Sequence, residues 1–197
     1  MNVAFGMKAH SGWAALVAVG RLNGVFVVAD RRRIELVEDV WAKQPYHAAE
    51  NLEPVDAREL VGRGVAAARR IAIQEMRAAV KRERERGNEV TVCAVLVGNP
   101  MPDWTVDEIL AVHFRMHTAE GVLFRDALIR AAKACRLPHV AIPEKELGSN
   151  AGSQLGMSES RIAKTIAFLG KSVGPPWGKD QKDAALAAMT ALQTQAK

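Results

Sequence analysis

The apolar positions of the chain keep a short period at first, lengthen to a helical one, and then alternate between the two. "NVAFGMK" and "GWAALVAVG" are compact apolar runs around the polar turn "AHSG". "GVFVVADRRRIELVE" adds a third run, with Ile34, Leu36 and Val37 continuing its apolar pattern. Runs of this length, bounded by Gly and polar residues, predict strands. Leu22-Asn23-Gly24 predicts a tight hairpin between the second and third, because Asn and Gly tolerate positive φ. The first 38 residues are therefore expected to form an antiparallel meander, followed by the polar connection "WAKQPYHAAENLEP".

From 56 to 86 the period becomes helical: Val61, Val65, Ala68, Ala72, Met76 and Ala79 recur at spacings of three and four, as a buried helix face requires. Gly87-Asn88 ends it. "VTVCAVLVG" (90–98) is continuously apolar and β-branched, which predicts a strand covered on both faces. Helical signals run from Thr105 to about Arg136, with a break expected near Gly121. A strand is predicted over 139–146 in "HVAIPEKEL", a Gly/Ser loop in "GSNAGSQLGMS", and helices in "ESRIAKTIAFLGKS" and "GKDQKDAALAAMTAL". The order β-β-β-α-β-α-β-α, with an extra helix near the end, predicts an α/β fold with a five-stranded mixed sheet. Strands 90–98 and 139–146 should extend it in parallel beyond the first strand, with helices on both faces. Residues 1–197 are expected to form a single domain.

Composition narrows the class. Hydrophobic residues make up 49% and charged residues 25% of the chain, the balance of a globular protein. No run approaches the roughly 18–20 apolar residues that span a bilayer, so no membrane is expected. His10, Ser11 and Gly12 interrupt the first apolar stretch, unlike a signal peptide. Cys93 and Cys135 have no metal-binding spacing and read as reduced core residues of a cytoplasmic protein. The net charge of +5 favours a polyanion, nucleic acid ahead of lipid.

Three stretches resemble the Holliday-junction resolvase branch of the ribonuclease H-like superfamily. "VAFGMKAHSGWAALV" is similar to its opening hairpin. "GVLFRDALIRAAKACRLPHVAIPEKEL" is similar to its helix, turn and fifth strand, and "GKDQKDAALAAMTAL" to its last helix with two aspartates three apart. The resemblance implies a ribonuclease H-like fold and phosphodiester hydrolysis by two Mg or Mn ions, held by acids from the first strand, the fourth strand and the last helix. Asp180 and Asp183 match that pattern. Phe5, Gly6, Met7 and Lys8 stand where the first acid should be, and "TVCAVLVG" contains none. Glu120 is the best replacement for a missing acid if its helix begins beside the reactive edge. Asp180, Asp183 and Glu120 are thus the candidate catalytic and metal-binding residues. Carboxylates at a helix start are also favoured by the macrodipole without any metal. Two readings stay open: a metal-dependent nuclease, or an inactive module that holds nucleic acid or a protein partner. DNA is expected ahead of RNA, and a homodimer is left open.

"YHAAE" and "MHTAE" each place His three residues before Glu, giving His47/Glu50 and His117/Glu120. Within a helix each pair would share a face, as a general base with its orienting carboxylate or as part of a second site; as local surface pairs they would carry no chemistry. Arg63, Arg70, Arg77 and Arg84 recur every seven residues, a stripe that drifts only ~20° per repeat. With Lys81 they are candidate phosphate contacts. Arg31, Arg32 and Arg33 are a second basic cluster, which would equally protect a sheet edge.

Overall fold

The computed structural model describes residues 1–195. Five strands, β1 (Asn2–His10), β2 (Trp13–Leu22), β3 (Val25–Glu35), β4 (Glu89–Val97) and β5 (His139–Pro143), form one sheet in the order β3-β2-β1-β4-β5. β1 to β3 are antiparallel, and β1–β4 and β4–β5 are parallel. Among the described residues seven α-helices accompany them: α1 (Pro45–Ala49), α2 (Pro54–Glu85), α3 (Val106–Leu110), α4 (His113–Ala134), α5 (Leu147–Leu155), α6 (Glu159–Val173) and α7 (Lys179–Gln195). The meander, the parallel extension and the two-faced cover all follow the expected pattern. Asn23 and Gly24 take positive φ at the β2–β3 turn, as the hairpin requires.

One face of the sheet packs Phe5, Met7, Leu16, Cys93 and Val95 against α2 and α4. The other packs Ala4, Val17, Val19, Ala94 and Leu96 against α5, α6 and α7. Successive residues of a strand point to opposite faces, so β1 sends Ala4, Gly6 and Lys8 toward α7. There Ala184, Ala185, Ala187 and Ala188 are fully buried, and these small side chains let the helix backbone lie close to the strand. Gly6 completes the approach, since a Cβ there would collide with the Ala184 carbonyl.

Several local expectations change. The break in the 105–136 helical region falls at 111–112, where Val112 is extended, and α4 runs unbroken through Gly121. Thr105 starts α3 with a reciprocal capping box to Glu108. Most of the expected Gly/Ser loop is α5, because Leu147 and Ala151 bury one side of it. β5 ends at Pro143, and Glu144–Glu146 form a turn of 3-10 helix. Glu83, near the end of α2, is fully buried. It accepts hydrogen bonds from Arg86 (2.6 Å) and Asn88 (2.8 Å), tying off the end of α2. Among the described residues no helix is long and apolar enough to cross a membrane.

Candidate functional site

The staircase of β1 against α7 sets the first cluster. Gly6 meets Ala184, and Lys8, two residues on, meets the first turns of α7. Its Nζ lies 2.7 Å from Asp183 Oδ2, 3.4 Å from Asp180 Oδ1 and 3.6 Å from Glu144 Oε2, with the Lys8 side chain only 7% exposed. Lys179 reaches Asp183 at 2.6 Å, and Arg125 reaches Glu144 at 3.0 Å. Three carboxylates thus face three cations. Burial pulls the Lys8 ammonium toward losing its proton, but the Asp183 hydrogen bond and the charges of Asp183 and Glu144 outweigh it and raise its pKa above the ordinary 10.5. Burial alone would raise Asp183; the hydrogen bonds from Lys179 and Lys8 win and hold it below its ordinary 3.8.

Glu120 belongs to a different cluster. α1 brings His47 to the first turns of α4, and the buried Glu120 carboxylate accepts from His47 Nδ1 at 2.8 Å and from the His47 backbone N–H at 3.2 Å. Gln44 adds a third donor at 3.4 Å. An ionised carboxylate can only accept, so Nδ1 is the donor of this bond, and in the neutral ring Nε2 is left with its lone pair. Glu50 pairs with His113 Nδ1 at 3.6 Å. Neither His/Glu pair expected within a single helix forms: His47 takes Glu120, and Glu50 takes His113, which was in neither pair. His117 sits beside both other histidines, its ring 4.6 Å from that of His47 and 4.7 Å from that of His113.

A cavity of about 190 Å³ joins the two clusters, with His10, Ser11, Glu120 and Arg125 in its wall. His10 stacks on Trp13 (4.4 Å between centroids) and places Nε2 3.1 Å from Asp180, at an angle that makes no hydrogen bond. Asp180, Asp183 and Glu120 do not converge. Among the described residues, the group of His, Cys, Asp or Glu whose ligand atoms lie mutually within 4.8 Å is His47, His113 and His117. Of the carboxylates expected to hold Mg or Mn, Asp180 and Asp183 are neutralised by Lys8 and Lys179, and Glu120 is taken up by His47 and Gln44. Arg125 pairs with Glu144 and would block any side chain at Gly98, beyond the end of β4. The residues present do not fit a two-ion site, which needs unneutralised carboxylate oxygen.

The basic residues divide. Arg31 donates to the carbonyls of Gly174 (2.7 Å) and Pro176 (2.5 Å), fastening the loop before α7. Arg32 pairs with Asp30, and Arg33 pairs with Glu35 while lying over the Trp13 ring at 4.0 Å. The cluster lies within β3, an edge strand. Arg63, Arg70, Arg77, Lys81 and Arg84 are exposed along α2, although Arg70 pairs with Glu38 and Lys81 with Glu85.

Reading the sequence missed His10, His113, Arg125 and Glu144 and gave Lys8 no role. The i, i+4 spacing in "HFRMH" was a usable signal for His113 and His117. Lys8 was marked by its place, two residues beyond Gly6 on one strand face.

The sequence matches no family model and no curated protein. Among solved structures, the chain is similar to Thermus thermophilus RuvC, with a TM-score of 0.51 and 14% identity over 98% of this chain and 95% of that one. It is also similar to T. thermophilus RuvC in complex with a Holliday junction substrate, with a TM-score of 0.53 and 13% identity over 100% and 96%. The likeness is one of fold. This chain shares the arrangement of strands and helices with those structures and carries an ammonium at its own β1–α7 seam.

Proposed function

We propose that this chain is a single-domain, cytoplasmic nucleic-acid-binding protein of the ribonuclease H-like type, taking DNA ahead of RNA, that holds its ligand without cleaving it at Asp180 and Asp183. The observation that carries this reading is Lys8, whose Nζ lies within 3.6 Å of three carboxylates. A resident ammonium supplies the positive charge those oxygens attract and needs no desolvation of a divalent ion. Binding is supported by the net charge of +5, by the exposed basic stripe on α2 and by the fold, on which T. thermophilus RuvC is known with a junction substrate. Polyanion affinity survives the loss of a hydrolytic site because phosphate contacts and metal ligands are separate side chains.

The test is fluorescence anisotropy with a four-way DNA junction, duplex DNA and duplex RNA, alongside a cleavage assay in Mg2+ and in Mn2+. Salt-sensitive binding without cleavage is expected. Cleavage that Asp183→Asn abolishes would overturn the reading in favour of a metal-dependent nuclease. No binding to any of the three ligands would favour a protein-interaction module.

A further inference from the structure

We propose that His47, His113 and His117 form a binding site for a divalent transition ion of the zinc class. The three side chains come from two elements separated by the whole of α2 and β4, yet their ligand atoms lie within 4.8 Å of one another. The site is independent of the nucleic-acid reading and uses none of the Lys8 carboxylates.

Three observations support it. His113 and His117 are one helical turn apart on α4, and their Nε2 atoms are 3.2 Å apart. Two imidazole nitrogens on a tetrahedral zinc, each bound at ~2.0–2.1 Å, are separated by about 3.3 Å, so this pair already has the edge length of such a site. The His47 Nε2 is buried and has no hydrogen-bond partner, an atom left bearing a lone pair with nothing to accept. The carboxylate of Glu120 fixes that orientation by accepting a hydrogen bond from Nδ1 at 2.8 Å, the arrangement in which a carboxylate behind a metal-bound imidazole sets its tautomer and raises its basicity. Glu50 stands 3.6 Å from His113 Nδ1 and would do the same for a second ring.

Chemistry selects the ion. Three neutral imidazoles suit zinc and its first-row neighbours, whereas magnesium and calcium demand oxygen. Three protein ligands leave a fourth tetrahedral position. His113 and His117 are exposed, so that position opens to solvent, to be filled by water or by an anionic oxygen.

The full-length chain, stripped of metal with a chelator, would be titrated with Zn2+ by calorimetry and with Co2+ by visible absorption. One zinc per chain with a Kd of about 1 μM or tighter is expected, with the intense bands of four-coordinate Co2+ and no competition from millimolar Mg2+. His113→Ala and His117→Ala change exposed side chains that the fold does not need, and each should abolish the Co2+ bands while leaving the circular dichroism unchanged. Glu120→Gln should weaken zinc by about 10- to 100-fold. Zinc binding that persists at full stoichiometry in His113→Ala and His117→Ala, or a wild-type Kd above about 100 μM, would overturn the site.

Discussion

Lys8 and Asp183, separated by 175 residues in the chain, meet at 2.7 Å between the C-terminal end of the central strand β1 and the second turn of α7. The pair closes the β1–α7 seam. Replacing Lys8 by Met leaves Asp180, Asp183 and Glu144 facing one another without their shared cation. Breaking a buried pair costs about 3–5 kcal/mol, and carboxylates that remain 21–32% exposed reduce this to about 2–3 kcal/mol. Millimolar Mg2+ or Ca2+ should restore part of the loss in Lys8→Met and leave the wild type unchanged, because only the variant offers unneutralised oxygen. Urea unfolding with and without divalent ion measures both; a variant as stable as wild type would remove Lys8 from its role.

The same pair sets a pH window. The Asp183 carboxyl is held below its ordinary 3.8, so its contribution is complete above that value and disappears as pH falls through the lower folded one. The Lys8 pKa is raised above 10.5, so its contribution is complete below 10.5 and is lost as pH rises beyond it. Between these limits the pair adds no pH dependence. Asp183→Asn should lower stability near pH 7 by about 1–3 kcal/mol, more than the loss of a mere helix-end charge, and flatten the acid limb of the stability curve. Thermal melts from pH 2.5 to 7 on both proteins read the difference.

At Gly6 the expectation is steric. Any Cβ meets the Ala184 carbonyl and the Ala188 backbone nitrogen, and neither can swing aside as a side-chain end would. Gly6→Ala should cost at least about 3 kcal/mol or prevent folding, whereas Gly62→Ala, in open space on α2, should be neutral or stabilising. Comparing their melting temperatures tests the close approach of β1 and α7.

Arg31 donates to three carbonyls, those of Gly174, Pro175 and Pro176. Lysine at that position presents a single point of charge in place of a planar fork, so Arg31→Lys should lose about 1 kcal/mol and release the 174–178 segment. Faster amide exchange confined to that segment is the expected signature. Unchanged exchange there would show that the loop holds itself.

For the α2 stripe, the readout is the salt dependence of binding. Each phosphate contact adds about 0.9 to the slope of log K against log salt, so Arg70→Glu with Arg77→Glu should reduce that slope by about 1.8 in a folded protein. An unchanged slope would assign these exposed arginines to the Glu38 and helix-surface contacts alone.

The sequence by itself determined the sheet and its order, because strand and helix are written in local periods: the continuous apolar run of β4, the Asn23-Gly24 turn, the three- and four-residue spacing of α2. Each depends on neighbours a few positions away and on burying one face or both. The site was legible only as fragments. "YHAAE" and "MHTAE" held residues that meet in the fold, but with other partners, since i, i+3 spacing says what shares a helix face and nothing about which helix lies opposite. Asp180 and Asp183 were visible as acids at a helix start, but their neutralisation by Lys8 depends on which face of β1 meets α7 and on how closely Gly6 lets them approach. Tertiary packing alone decided that, because the charge a carboxylate sees is set within a few ångströms by residues that the chain places more than a hundred positions away.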